Sequence, residues 1–243
     1  MLGHQARFRE DHRERCRVRP GGGPVTDIRT PLNDAAVRSL KLGDTVFISG
    51  PVVTGRDEAH IRALEMSRNG EETPSVLDGC VLYHCGPIMR QNADGDWIVV
   101  AAGPTTSARM NKLEPEAIRT FGIRAIIGKG GMSKEVAEAM RECGCVYLAA
   151  TGGAAVSLAE GLGRCTGVQW LDLGMAEALW SFETDRLGPL IVAMDAEGNS
   201  LYEKVRESLV RDARSCRRRR RSPRACRPRR RSPSRASWTC GSG

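Results

Sequence analysis

The stretch Trp97-Ile98-Val99-Val100-Ala101-Ala102, running into Gly103-Pro104-Thr105-Thr106-Ser107-Ala108-Arg109-Met110, decides how this chain is read. An unbroken apolar run with β-branched residues at its centre predicts a buried strand, and the Gly-Pro pair ends it. A second unit has the same form: the run Arg124 to Ile127 leads into Gly128-Lys129-Gly130-Gly131-Met132. Polar groups placed directly after buried strands lie where loops build sites. Glycine lets a backbone approach a ligand closely, and fixed cations beside hydroxyls suit an oxyanion such as a carboxylate. The two turns together predict a site for a small dicarboxylic acid.

Working outward, strands are expected at Thr45–Ser49, Val81–His84, Trp97–Ala102, Ala125–Ile127, Val146–Ala149, Gln169–Leu173 and Leu190–Met194. Between Ser49 and the next helix, Gly50 to Asp57 reads as a loop. Helical spacing of apolar residues predicts helices over Glu58–Ser67, with Asp57 as N-cap, and over Glu114–Thr120, Ser133–Glu142, Ala154–Glu160 and Leu201 to about Val210. Strands come in succession before helices become regular, which argues for a mixed α/β layer structure over a strict doubly wound sheet.

Composition divides the 243 residues into three parts. Residues 1–27 are basic and pass through Pro20-Gly21-Gly22-Gly23-Pro24, a linker composition expected to be disordered. Residues 28–210 form the expected domain, and residues 211–243, rich in Arg, Ser and Pro, hold too little apolar surface to fold. The net charge of +8 is concentrated at the ends, with 13 Arg in the tail alone. The middle is mildly acidic, so nucleic acid is not the expected partner of the domain. An Arg-rich arm that binds RNA is the rival reading of the tail. No apolar run reaches membrane-spanning length and no h-region follows the basic N-terminus, so a cytoplasmic location is expected. The nine Cys form no CxxC and match no zinc spacing, which predicts free thiols.

Three segments carry the candidate chemistry. Thr54-Gly55-Arg56-Asp57-Glu58-Ala59-His60 joins the two turns above, so Arg56, Arg109 and Lys129 are the cations and Thr105, Thr106 and Ser107 the hydroxyls. A dicarboxylate needs two anchors, and guanidinium forks bind carboxylates bidentately. His60 lies three residues after Asp57 on one helix face and is expected to support the structure, as is His84 at a strand end. The glycine-bearing run Ala149 to Ala155 is a weak phosphate cradle that lacks the P-loop Lys and the full dinucleotide fingerprint.

At these residues the chain resembles the β subunit, or C-terminal domain, of the iron–sulfur hydro-lyases, class I fumarase and L(+)-tartrate dehydratase. The motifs are TGRDEAH (54–60), HCGPI (84–88), GPTTSARM (103–110), GKGGM (128–132), LGMAEALW (173–180) and GPLIVAMDAEGNSL (188–201), in order over about Leu40 to Tyr202. The resemblance implies a swivelling β/β/α-type single domain, here with flexible basic termini. It implies a [4Fe–4S] cluster ligated by a partner α subunit and not by this chain, and a hetero-oligomer. It further implies that Arg56, Arg109, Lys129, Thr105 and Thr106 bind substrate, with Thr105 and Lys129 at the proton transfer. The reaction expected is reversible loss of water from malate to give fumarate, with tartrate as the alternative substrate. The Arg-rich ends have no counterpart in the family pattern.

Overall fold

In a computed structural model of the chain, residues 25–221 are described, with side chains to residue 211. The tail from 222 onward and residues 1–24, expected to be disordered, lie outside the described residues. The elements run β1 (Val25–Arg29), α1 (Asp34–Ser39), β2 (Thr45–Gly55), α2 (Asp57–Arg68), β3 (Val81–His84), β4 (Ile88–Gln91), β5 (Trp97–Ala101), α3 (Glu114–Phe121), β6 (Ala125–Gly128), α4 (Lys134–Cys143), β7 (Val146–Ala149), α5 (Ala155–Leu162), β8 (Arg164–Gln169), β9 (Leu179–Met194) and α6 (Leu201–Arg221). The fold is α/β, as expected. Among the described residues, those up to Glu203 form one compact unit and those from Lys204 a second.

Seven strands make one sheet in the order β1-β2-β3-β6-β7-β9-β8, and a further pairing of β2 with β9 closes five of them into a barrel. Pairs β2–β3, β3–β6 and β6–β7 are parallel, while β9 runs antiparallel to β2, β7 and β8. Side chains alternate between two cores at the two-residue period of a strand. Val81, Tyr83, Ala125, Ile127, Val146 and Leu148 join one core with Trp180 and Phe182 of β9. Leu82, Ile126 and Tyr147 point the other way, against residues of α2, α3 and α4. Helices α3 and α4 stop where Gly122 and Gly144 take left-handed conformations that favour glycine.

Several elements differ from the sequence reading. Residues 25–27, inside the segment expected to be disordered, belong to strand β1, which gains a parallel partner in β2. The loop expected over Gly50–Gly55 is strand: β2 continues past Gly50 through register shifts against β9, a bulge that accommodates the Gly-Pro pair. Gln169–Leu173 is the end of β8 and a single 3₁₀ turn, and β9 begins at Leu179, eleven positions before the Leu190 start that the apolar run suggests. Helix α6 extends to Arg221, beyond the expected stop near Val210; arginine ranks with the better helix formers. No helix among the described residues is long and apolar enough to cross a membrane.

Candidate active site

The parallel strands β2, β3, β6 and β7 deliver their C-terminal ends to one rim of the barrel. Arg56 follows β2, Cys85 and Gly86 follow β3, Lys129 follows β6, and Ala150 to Ala154 follow β7. The crevice beyond the carboxyl ends of parallel strands is the usual place for ligands in α/β sheets.

Backbone pairing draws the three cation-bearing segments together. Thr106 and Lys129 form a parallel bridge, with Ser107 N donating to Lys129 O at 3.0 Å and Lys129 N to Thr105 O at 3.3 Å. Thr105 N donates to His84 O at 2.7 Å, and Cys85 pairs with Pro104. Ser107 to Met110 form a 3₁₀ turn that projects Arg109 towards the start of α2. There Arg109 Nε donates to Asp57 Oδ1 at 3.2 Å, and its Nη2 is 2.9 Å from Oδ2. Asp57 is therefore the first helical residue and an anchor for Arg109, not the expected N-cap, which is Arg56.

Arg56 is held from two sides. Its Nη2 lies 3.2 Å from Glu177 Oε1, and a Cβ built on Gly86 would stand 2.9 Å from its Cδ and 2.6 Å from Ala176 O. Only glycine fits that approach. Arg56 Nε is buried and has no acceptor among the described residues. Thr105 is half-buried, while Thr106 and Lys129 are exposed, and Lys129 has no ion pair among the described residues. Asp57 and Glu177, the acids that hold the two arginines, escaped the sequence reading; only the adjacency of Asp57 to Arg56 hinted at the first.

Below the rim lies a buried charged cluster that sequence reasoning divided into two separate supporting histidines. Glu114, the first residue of α3, is fully buried, and its Oε2 is 3.2 Å from His60 Nε2 and 3.0 Å from His84 Nε2. His60 turns to Glu114 and not to Asp57, as α2 packs on α3. Its Nδ1 faces Arg56 O at 2.7 Å, and His84 Nδ1 faces Ser107 Oγ at 2.9 Å. Burial disfavours the charge on His60, but the Glu114 carboxylate outweighs it and raises its proton affinity. Burial likewise opposes ionised Glu114, yet the imidazoles of His84 and His60 hold it well below the usual carboxylate range. These three donors lie within 4.8 Å of one another, the one set among the described residues close enough for a cation.

Thiols are a different matter. Cys80, Cys85, Cys143, Cys145 and Cys165 are free, as expected, and no three of them converge. Burial pushes the Cys85 thiol up to about 12 and Cys145 well above the usual value. Among the described residues nothing fits the thiolate ligation of an iron–sulfur cluster.

The family model described as "Fumarase C-terminus" matches residues 13–205. The chain belongs to that family. It is 49% identical over 179 residues to a Methanocaldococcus jannaschii protein named "Putative L(+)-tartrate dehydratase subunit beta", covering 73% of this chain and 91% of that one. It is 36% identical over 174 residues to the Escherichia coli L(+)-tartrate dehydratase subunit beta, covering 72% of this chain and 85% of the relative. A Geobacillus stearothermophilus protein named "Putative fumarate hydratase class I" is 40% identical over 184 residues, covering 76% of this chain and 35% of the longer relative. Each of these names denotes a hydro-lyase, and the family domain is thus found both as a subunit and as about a third of a longer chain.

Proposed function

We propose that this chain is the β subunit of a hydro-lyase that reversibly removes water from a small hydroxy-dicarboxylic acid. The gathering of Arg56, Thr105, Thr106, Arg109 and Lys129 at one rim, tied by the Thr106–Lys129 bridge and the Arg109–Asp57 pair, carries this reading. Arg56 and Arg109 bind the substrate carboxylates, and Lys129 adds an ammonium beside Thr105. Each arginine is already aligned by an acid, and a guanidinium has donors to spare for a ligand. Glu177 and Asp57 thus fix the forks before substrate arrives, which lowers the ordering cost of binding.

Elimination requires removal of a proton next to a carboxylate, which is feasible only when the charge that develops there is offset. Prealigned cations supply that offset electrostatically. Thr105 stands closest to the reacting carbon, and its hydroxyl, a weak base alone, works with Lys129 to move the proton. A [4Fe–4S] cluster carried by an α-type partner is the proposed source of Lewis acidity for the hydroxyl. Support for the partner comes from the relatives named as β subunits and from the fumarate hydratase relative, which is nearly three times as long as its matched segment.

Malate and fumarate are the proposed pair. Tartrate is the second reading, favoured by the match to 91% and 85% of the two tartrate dehydratase subunits' own lengths. Anaerobic co-production with an α-type partner, followed by assays on malate, fumarate and both tartrate enantiomers, tests the proposal in the cytoplasm-like reducing conditions it assumes. Turnover of one acid that is lost in Arg109→Ala is the expected result; a stable complex inert towards all of them would overturn the substrate class.

A further inference from the structure

The buried cluster beneath the rim can be read from its outer hydrogen bonds. Arg56 O is a carbonyl and can only accept, so His60 Nδ1, 2.7 Å away, carries a proton. His60 Nε2 faces a carboxylate at 3.2 Å, where a bare nitrogen lone pair would be repelled. His60 therefore carries both protons. On the other side, Tyr147 Oη donates to Ser107 Oγ at 3.0 Å, which leaves the serine proton for His84 Nδ1 at 2.9 Å. His84 then holds its own proton on Nε2, which lies 3.0 Å from Glu114 Oε2. Both nitrogens share Oε2, and neither ring points straight at it, so the contacts are electrostatic more than linear hydrogen bonds.

We propose that Glu114 is a positioning residue: through doubly protonated His60 it fixes the backbone of Arg56, and through His84 and Ser107 it fixes the turn that bears Thr105, Thr106 and Arg109. The role rests on the carboxylate-binding reading of those residues, but the cluster itself does not. Two loops that must hold one diacid are referenced to a single buried oxygen, so their spacing is set from inside the fold. The other groups near the cluster are Asp57 on α2 and the thiols of Cys80 and Cys145. Burial, reinforced by Glu114, pushes Cys80 up to about 12 and Cys145 well above its ordinary value, so neither competes as an anion.

The test begins with the full chain labelled with ¹⁵N-histidine. At pH 7, long-range ¹⁵N–¹H correlations should show His60 with both nitrogens protonated and His84 as the Nε2–H tautomer. Glu114→Gln should return His60 to a neutral ring, and in the active assembled enzyme it should raise KM by about tenfold, a typical consequence of leaving a buried donor unpaired. Ser107→Ala, a milder change should Glu114→Gln fail to fold, should alter the His84 tautomer balance and raise KM in the same direction. A neutral His60 in the native chain would overturn the proposal. So would one stoichiometric divalent metal found by elemental analysis and lost in Glu114→Gln, which would make the cluster a metal centre. Unchanged kinetics in an active Glu114→Gln enzyme would overturn the positioning role alone, whereas an assembly inert in every variant, wild type included, counts against the hydro-lyase reading and leaves the ¹⁵N result to decide the cluster.

Discussion

Asp57 holds Arg109 across two segments fifty-two residues apart, with Arg109 Nε donating to Oδ1 at 3.2 Å and Nη2 2.9 Å from Oδ2. Arg109 is half exposed, so this pair adds little to stability and its value lies in aim. Arg109→Ala is expected to lower kcat/KM by about 10- to 100-fold, matching roughly 1.5–3 kcal/mol for hydrogen bonds to a charged group. Arg109→Lys should recover only part of that, since an ammonium cannot reproduce the planar fork. Steady-state kinetics of the assembled enzyme, beside thermal melts that move little, check both.

Glycines 86 and 128 should be intolerant of a methyl group for different reasons. At Gly86 it would press on Ala176 O and on the Arg56 side chain, so Gly86→Ala should weaken substrate binding as well as stability. At Gly128 it would collide with Ser107 Oγ and approach Tyr147 Oη to 3.0 Å. Gly128→Ala is expected to destabilise by about 1–3 kcal/mol, the usual cost of overpacking, readable as a shift in the urea midpoint.

The ion pair of Glu114 and His60 gives stability a defined pH window. A carboxylate held below its unfolded value stabilises above about pH 4.3 and loses that contribution as pH falls towards its folded value. An imidazole held above its unfolded value stabilises fully below about pH 6.5, and the contribution is lost as pH rises through the folded value. Their joint contribution should be greatest between about pH 4.5 and 6.5. Urea unfolding across pH should show both flanks in the wild type and a flatter profile in Glu114→Gln.

Trp180 is fully buried, donates its indole N–H to Met175 O at 2.8 Å and meets Trp97 edge-on at 5.1 Å. Trp180→Ala should cost about 3–5 kcal/mol, the range for large aromatic truncations in a core. Denaturation followed by circular dichroism would measure it, and a cost below about 1 kcal/mol would show that β9 is not packed as described.

Buried Cys85 and Cys145 should resist alkylation at pH 8 in the folded chain, since only the thiolate reacts and burial keeps both protonated. Iodoacetamide labelling with peptide mass spectrometry should find them modified only after denaturation.

What could be read from the chain depended on how local each cause was. The placing of Lys129 and Arg109 in turns after strands was legible because each follows an apolar run and a glycine or proline. The strand before Arg109 is not the buried one expected, however: β5 pairs with β4 in a two-stranded sheet and leaves Ile98 and Val100 exposed. Glu114 was not: ahead of Pro115 it looks like any acid in a helix's first turn, and only the packing of α2 on α3 buries it between two imidazoles. Strand β9 was equally hidden. Its middle carries Glu183, Asp185, Arg186, Gly188 and Pro189, a composition that suggests a turn, yet pairing with β2, β7 and β8 holds it extended. A bulge at Gly50 did the same for β2. Local propensity lost wherever long-range pairing supplied the hydrogen bonds.

The closure of β2 by β9 orders events in time as well as in space. During synthesis the segment bearing Arg56 leaves the ribosome well over a hundred residues before the strand that seals its neighbour, and Glu177, which grips Arg56, arrives with that strand. Until then one side of β2 is an unpaired edge open to any passing β segment. Ring closure thus comes late in synthesis, and the same strand that covers the open edge of β2 brings the acid that aligns Arg56.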